Sequence, residues 1–171
     1  DHLGLLHSDR YLGERHARVR GERYDAFLDR FVEVVTRLFP TALIHWEDFG
    51  VENAHRILNR YSDQICTFND DIQGTAAVVL AAVIAAVRRT GVALNQHRFL
   101  IYGAGSAGVG IADMIQDALA AEGHSAGDFY AFNSRGLIVE DSEGVRDFQR
   151  RYARTRAEVD QWEVADPDRI T

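Results

Sequence analysis

The chain has 171 residues, 46% of them apolar, and its 26 acidic and 19 basic side chains leave a formal charge of −7. That apolar content is enough for a packed core in one ordinary domain and too high for a disordered segment. The negative balance, with no basic stripe to interrupt it, excludes a general nucleic-acid footprint.

The first twenty residues are polar, contain Gly4 and Gly13, and show no period, so they read as loop. His2, His7 and His16 lack metal-ligand spacing and read as solvated. From Gly21 onward, Tyr24, Phe27, Leu28, Phe31, Val34, Val35 and Leu38 fall at i, i+3, i+4, i+7 spacing. This predicts an amphipathic helix with its aromatic stripe in the core, stopped at Pro40. Ala42–Trp46 and Ile65–Phe68 then read as buried strands, with Glu52–Tyr61 a short helix between them. A right-handed crossover of this kind would set the two strands side by side and parallel.

Each strand runs straight into adjacent carboxylates, Glu47-Asp48 after the first and Asp70-Asp71 after the second. In an open α/β sheet ligands bind outside the carboxyl ends of the strands. Clustered carboxylates repel one another unless a cation lies among them. Hard oxygen ligands with no nearby Cys or His cluster suit Mg²⁺ or Mn²⁺. A helix cap and a solvated turn would account for either pair taken singly.

Cys66, the one cysteine, excludes an internal disulfide framework. Its apolar surroundings predict a buried, inert thiol, which fits a reducing, cytoplasmic compartment. Gly74-Thr75 opens a helix predicted to be buried, with Thr75 as its N-cap and a positive dipole end facing the acidic crevice. Its apolar run, Ala76–Val87, is 12 residues, short of the ~17–25 of a membrane span, so no membrane partner is expected. The chain opens Asp1-His2 without Met or signal peptide, as an interior fragment would.

Arg98–Gly110 is a second informative stretch. Phe99–Tyr102 reads as a strand, Gly103-Ala104-Gly105-Ser106-Ala107-Gly108 fits G-x-G-x-x-G, and Ile111, Ile115 and Leu119 begin a helix. In that context Gly103 makes the tight turn, Gly105 admits a pyrophosphate, and Gly108 lets helix meet strand. The next strand, Phe129–Phe132, ends at Asn133-Ser134-Arg135, where Rossmann units place the acid that takes the ribose hydroxyls and disfavours a 2′-phosphate. Beyond Gly144 the mixture of Arg and acids reads as a surface helix and a solvated tail.

Trp46-Glu47-Asp48-Phe49, Asn53-Ala54 and the unbroken Cys66-Thr67-Phe68-Asn69-Asp70-Asp71-Ile72-Gln73-Gly74-Thr75 resemble the malic enzymes and the related malolactic enzymes, from about Tyr11 to about Asp141. The resemblance implies that Glu47, Asp48 and Asp71 hold a divalent metal, Mg²⁺ or Mn²⁺, that also binds malate. Asp70 would lie beside them in a supporting catalytic role. The nucleotide-binding candidates are Thr75, Gly103, Gly105, Ser106, Ala107, Gly108, Asn133 and Ser134. Tyr102–Gly108 looks closer to the malolactic branch than to the animal malic enzymes.

The family usually has Asp at the position of Asn133; the branch resemblance points to NAD, while the lost charge and Arg135 leave NADP open. The family's general-base lysine and proton-donating tyrosine lie upstream of the match, and all 19 basic residues here are arginine. The expected fold is therefore α/β, a Rossmann-like parallel sheet with flanking helices, in a fragment across a two-domain junction. Residues 1–69 would end the metal- and substrate-binding domain, and residues 70–171 would begin the NAD(P)-binding domain.

The expected parent converts malate to pyruvate and CO₂ with NAD(P), or, as a malolactic enzyme, malate to lactate and CO₂. It is expected to be a homo-oligomer, and the isolated chain to be inactive. A reading of another class is a non-catalytic dinucleotide-binding module, which the absent lysine favours.

Overall fold

The computed structural model describes residues 4–166 and 170–171. Backbone contacts divide the chain into two compact units, Asp1–Ala42 and Leu43–Thr171.

The first unit holds a single 3₁₀ turn, Leu5–His7, and helix α1, Glu22–Leu38. His7 and His16 are exposed, as expected, and His2 lies outside the described residues. Helix α1 follows the predicted bounds, with Glu22 and Asp25 in its first turn and Arg37 in its last, matching the helix dipole. Its aromatic stripe departs from expectation. Leu28 and Val32 are buried, but Phe27 and Phe31 are 67% and 42% exposed. Periodicity marks a face as apolar without saying what covers it.

The second unit opens with strand β1, Ile44–Trp46, helix α2, Val51–Tyr61, and strand β2, Thr67–Asn69. The strands pair in parallel, Ile44 with Thr67 and Trp46 with Asn69. They are shorter than predicted, and Ala42 and Leu43 stand outside β1. Alternation along β1 buries Ile44 and Trp46 and turns His45 outward. Trp46 lies on Tyr61 of α2 at 5.8 Å between ring centroids, and Ala54 and Ile57 are fully buried, so α2 packs as a crossover helix should. Cys66, expected to be buried, is exposed because it precedes β2 at the rim of this two-stranded sheet.

A single π-helical turn, Asp70–Gly74, leads into helix α3, Thr75–Thr90. Thr75 is therefore not the cap. The cap is Asn69, whose side chain accepts from Ile72 N at 3.0 Å while Gln73 Oε1 accepts from Asn69 N at 3.0 Å. This reciprocal pair sets the helix start one turn earlier than the sequence suggests. Together, turn and helix make 21 residues, Asp70–Thr90, long and apolar enough by length and composition to cross a membrane. Helix α3 also departs from the fully buried helix expected: Ala76 is buried and Leu80, Val83 and Val87 pack against the core, while Val78 is 72% exposed.

The second sheet has the order β3-β4-β5: strand β3, Arg98–Tyr102, parallel to β4, Asp128–Asn133, which forms an antiparallel hairpin with β5, Gly136–Leu137. Helix α4, Ser106–Ala121, crosses from β3 to β4 and buries Val109, Ala112, Ile115 and Leu119. These meet Phe129 and Ala131 of β4 in one core.

The segment after Gly144 is not the solvated tail expected. Val145, Tyr152 and Val159 are buried there, and short helices α5, Asp147–Arg150, and α6, Arg156–Val159, fold it back on the sheet. Arg154 explains why so polar a stretch packs. Its Nη1 donates to Asp128 Oδ1 at 2.9 Å and to the Phe129 carbonyl at 3.1 Å, its other nitrogens pair with Glu158, and its guanidinium lies over the Tyr130 ring at 4.5 Å. These partners satisfy a part-buried cation.

Candidate functional site

The parallel pairing of β1 and β2 carries both acid pairs to the same sheet end. Ligand oxygens of Glu47, Asp48 and Asp71 lie within 4.8 Å of one another, and His45, Glu47 and Asp70 form an overlapping group by the same measure. The backbone contributes. Asp48 takes φ 59°, the left-handed region uncommon for a residue with a side chain, although Asp tolerates it better than most. Asp71 is carried on the π-helical turn, a local widening of the helix frequent at functional positions.

Among the described residues no arginine pairs with these four acids. Their neighbour is the His45 imidazole, whose Nε2 stands 2.9 Å from Glu47 Oε2 and 3.9 Å from Asp70 Oδ1 while its ring stacks on Phe68. Asp71 Oδ2 is buried and has no hydrogen-bond partner. An unpaired buried carboxylate oxygen is costly, and three converging carboxylates make an all-oxygen donor set suited to a hard divalent ion. The residues present therefore fit such an ion.

The glycine-rich turn lies at the carboxyl end of β3. Gly103 takes φ 116°, open to glycine. Gly103 N and Ala104 N both donate to the Phe132 carbonyl, at 3.1 and 2.7 Å, which ties the turn to the end of β4. A methyl on Gly108 would collide with the Gly103 carbonyl, so the start of α4 meets the turn at backbone distance. Around Gly105 nothing lies within 4 Å of the place a Cβ would take, leaving room above the helix N-terminus where Ser106 and Ala107 begin α4. Thr75 is exposed one turn into the π-turn–α3 helix, without the capping role expected of it.

Asn133 and Ser134 line an open cleft of about 590 Å³ with Tyr102, Gly103 and Phe132. The Asn133 side chain accepts from Arg135 N at 2.7 Å. The Arg135 guanidinium is turned to the Glu143 carbonyl at 3.1 Å.

Two supports were not legible in the sequence. Buried Gln149 of α5 donates its Nε2 to the Ala104 carbonyl and accepts from Arg146 N at 2.9 Å, bracing the glycine-rich turn. Gly110 lets α4 rest on the π-helical turn: a methyl there would stand 2.7 Å from the Ile72 carbonyl oxygen. Acidic cluster and glycine-rich turn thus share one backbone joint. A glycine two residues beyond G-x-G-x-x-G was the available signal for that joint; Gln149 had none.

A family model described as malic enzyme, NAD binding domain, matches residues 72–171, and one described as malic enzyme, N-terminal domain, matches residues 1–62. The NAD-dependent malic enzyme 3 of Bacillus subtilis is 50% identical over 159 residues, 91% of this chain and 28% of the relative. The malolactic enzyme of Leuconostoc mesenteroides is 43% identical over 158 residues, 90% of this chain and 29% of the relative. The crystal structure of the NAD-dependent malic enzyme from Thermotoga maritima superposes with a TM-score of 0.61 at 27% identity, covering 74% of this chain and 34% of that one. The chain thus spans about three-tenths of the length of the curated relatives it matches.

Proposed function

Because this chain belongs to the malic enzyme family, matching both its N-terminal and its NAD-binding domain, we propose that it is the segment of a malic enzyme that joins the divalent-metal site to the first half of the NAD site. The parent reaction is the NAD-linked oxidative decarboxylation of malate to pyruvate and CO₂. The observation that carries the reading is the convergence of Glu47, Asp48 and Asp71, with a buried, unpartnered Asp71 oxygen, beside a glycine-rich dinucleotide turn.

In this reading Glu47, Asp48 and Asp71 hold Mg²⁺ or Mn²⁺. When bound, the ion supplies Lewis acidity toward the hydroxyl and carbonyl oxygens of the substrate. His45, with its Nε2 2.9 Å from Glu47 Oε2, stands against the Glu47 carboxylate and limits its movement. Asp70, with its carboxylate folded over Gly74, keeps a further negative group at the rim of the cluster. Gly103 and Gly108 shape the turn, the space at Gly105 admits the pyrophosphate to the N-terminus of α4, and Asn133 and Ser134 meet the adenosine ribose. Thr75, exposed, stays in this reading as a nucleotide contact. The acid–base pair for the malate hydroxyl and the enolate comes from elsewhere in the parent, since this chain has no lysine.

The division into a substrate half, 1–69, and a nucleotide half, 70–171, belongs to the same reading, as do a cytoplasmic location, a homo-oligomer, and no nucleic-acid or membrane partner. A malolactic outcome is the second reading, favoured by the relative from Leuconostoc mesenteroides.

Calorimetric titration of the chain with Mn²⁺ tests the metal site. The expected result is a binding isotherm lost in Asp71→Ala while the far-UV circular dichroism is kept. Equal Mn²⁺ affinity in the two proteins would contradict it.

A further inference from the structure

Between Gly103 and the start of α4 lies one peptide plane that sets how the helix begins, the plane shared by the Ala104 carbonyl and the Gly105 N–H. Its N–H end is pinned within the turn, by donation to the Gly103 carbonyl at 2.8 Å. Its carbonyl end is pinned by the side-chain amide of Gln149, 45 residues away. The turn itself does little to hold the plane, since Gly103 stands at φ 116° on one side and Gly105 has nothing within 4 Å of the place a Cβ would take on the other.

The direction of the Gln149 amide is fixed in turn. The side chain is buried and its Oε1 accepts from the Arg146 N–H at 2.9 Å, so Nε2 is the end presented to Ala104. Its neighbours seat it. Phe148 stacks on His55 of α2 at 4.6 Å, and Tyr152, just beyond α5, donates to Asp113 Oδ1 of α4 at 2.6 Å. Any donor would satisfy the buried Ala104 carbonyl. A side chain locked at its own far end, on a segment held against α2 and α4, supplies one of constant direction.

We propose that Gln149 is a positioning residue of the dinucleotide site: by fixing the Ala104–Gly105 plane it presets the start of α4 for a diphosphate, so that the turn need not be ordered on binding. The proposal rests on the reading of this turn as the one that takes the pyrophosphate, and adds to it a residue outside the glycine motif.

The test is calorimetric titration with NAD⁺, and displacement of NAD⁺ by ADP and by adenosine, in the native chain and in Gln149→Met. Methionine keeps the length of the side chain and removes both hydrogen bonds. The expected result is a dissociation constant about tenfold higher for NAD⁺ and ADP, which carry a diphosphate, and unchanged for adenosine, which carries none. A purely structural brace would lower the urea midpoint and leave the affinity of the folded protein alone. Where Gln149→Met does not fold, Gln149→Glu carries the test. Its carboxyl can donate to the Ala104 carbonyl only when protonated, so its deficit in NAD⁺ affinity against the native chain should shrink from about pH 8 to about pH 5.5. Native NAD⁺ affinity in folded Gln149→Met, an equal loss for ADP and adenosine, or a pH-independent deficit in Gln149→Glu overturns the proposal and leaves the dinucleotide site standing. Failure of the native chain to bind NAD⁺ overturns the dinucleotide reading itself.

Discussion

Asp48 and His55 show how much of a site is decided residue by residue. Asp48 holds a left-handed backbone at the acidic cluster, a conformation that costs about 1–3 kcal/mol and persists only where its surroundings impose it. His55 on α2 stacks on Phe148 of α5 at 4.6 Å, with its Nε2 buried and unpartnered. Burial lowers its pKa below the ordinary value, and the charge of Asp113 only partly opposes this. Because the folded state binds that proton less readily than the unfolded chain, His55 contributes stability above about pH 6.5 that is lost as pH falls toward its folded value. Thermal melts of the native chain should therefore fall more steeply from about pH 7 to about pH 5 than melts of His55→Phe, which keeps the stack without the titrating group. Parallel curves for the two proteins would refute this. The four acids were legible in the sequence because two separate runs, Trp46-Glu47-Asp48-Phe49 and Cys66–Thr75, each spelled a pair of them at a strand end. Asn69 as a buried cap was not, because an asparagine closing a strand looks the same whether its side chain caps or is solvated.

At the scale of elements, the joint between α4 and the π-helical turn links the two halves of the candidate site. Ile72, whose carbonyl meets Gly110, follows directly after Asp71. Gly110→Ala should overpack this contact and lower stability by about 1–3 kcal/mol in urea unfolding. It should also weaken Mn²⁺ binding, because the turn carrying Asp71 has to move to make room. A variant with lowered stability and native Mn²⁺ affinity would show that the joint holds the fold but not the cluster. Strand–turn–helix order around the glycine motif was readable from local pattern and composition. The π-helical turn was not, since its reciprocal cap uses Asn69 and Gln73, residues that a search for Ser or Thr before a helix passes over. The packed segment after Gly144 was also hidden, because Arg154 is satisfied by partners on β4 far back in the sequence.

For the molecule as a whole, composition indicated a folded chain and the order of strands and helices an α/β one, but neither indicated which apolar surfaces are covered. Leu100 and Tyr102 on β3 are 64% and 83% exposed, and Val78 on α3 is exposed as well. Among the described residues no strand pairs with the free edge of β3. An open edge beside exposed apolar side chains is a template for association. Sedimentation velocity should show the isolated chain self-associating with rising concentration, and Leu100→Lys should reduce that association. A monomer at all concentrations would argue that the edge is protected. One further consequence follows from the bond between Gln149 and the Ala104 carbonyl, which spans 45 residues. During synthesis at ~5–20 residues per second, roughly two to nine seconds separate the appearance of the turn from that of its brace. Throughout that interval the nascent glycine loop lacks the partner that holds it in the finished protein, so its final shape is a late event in the life of the chain.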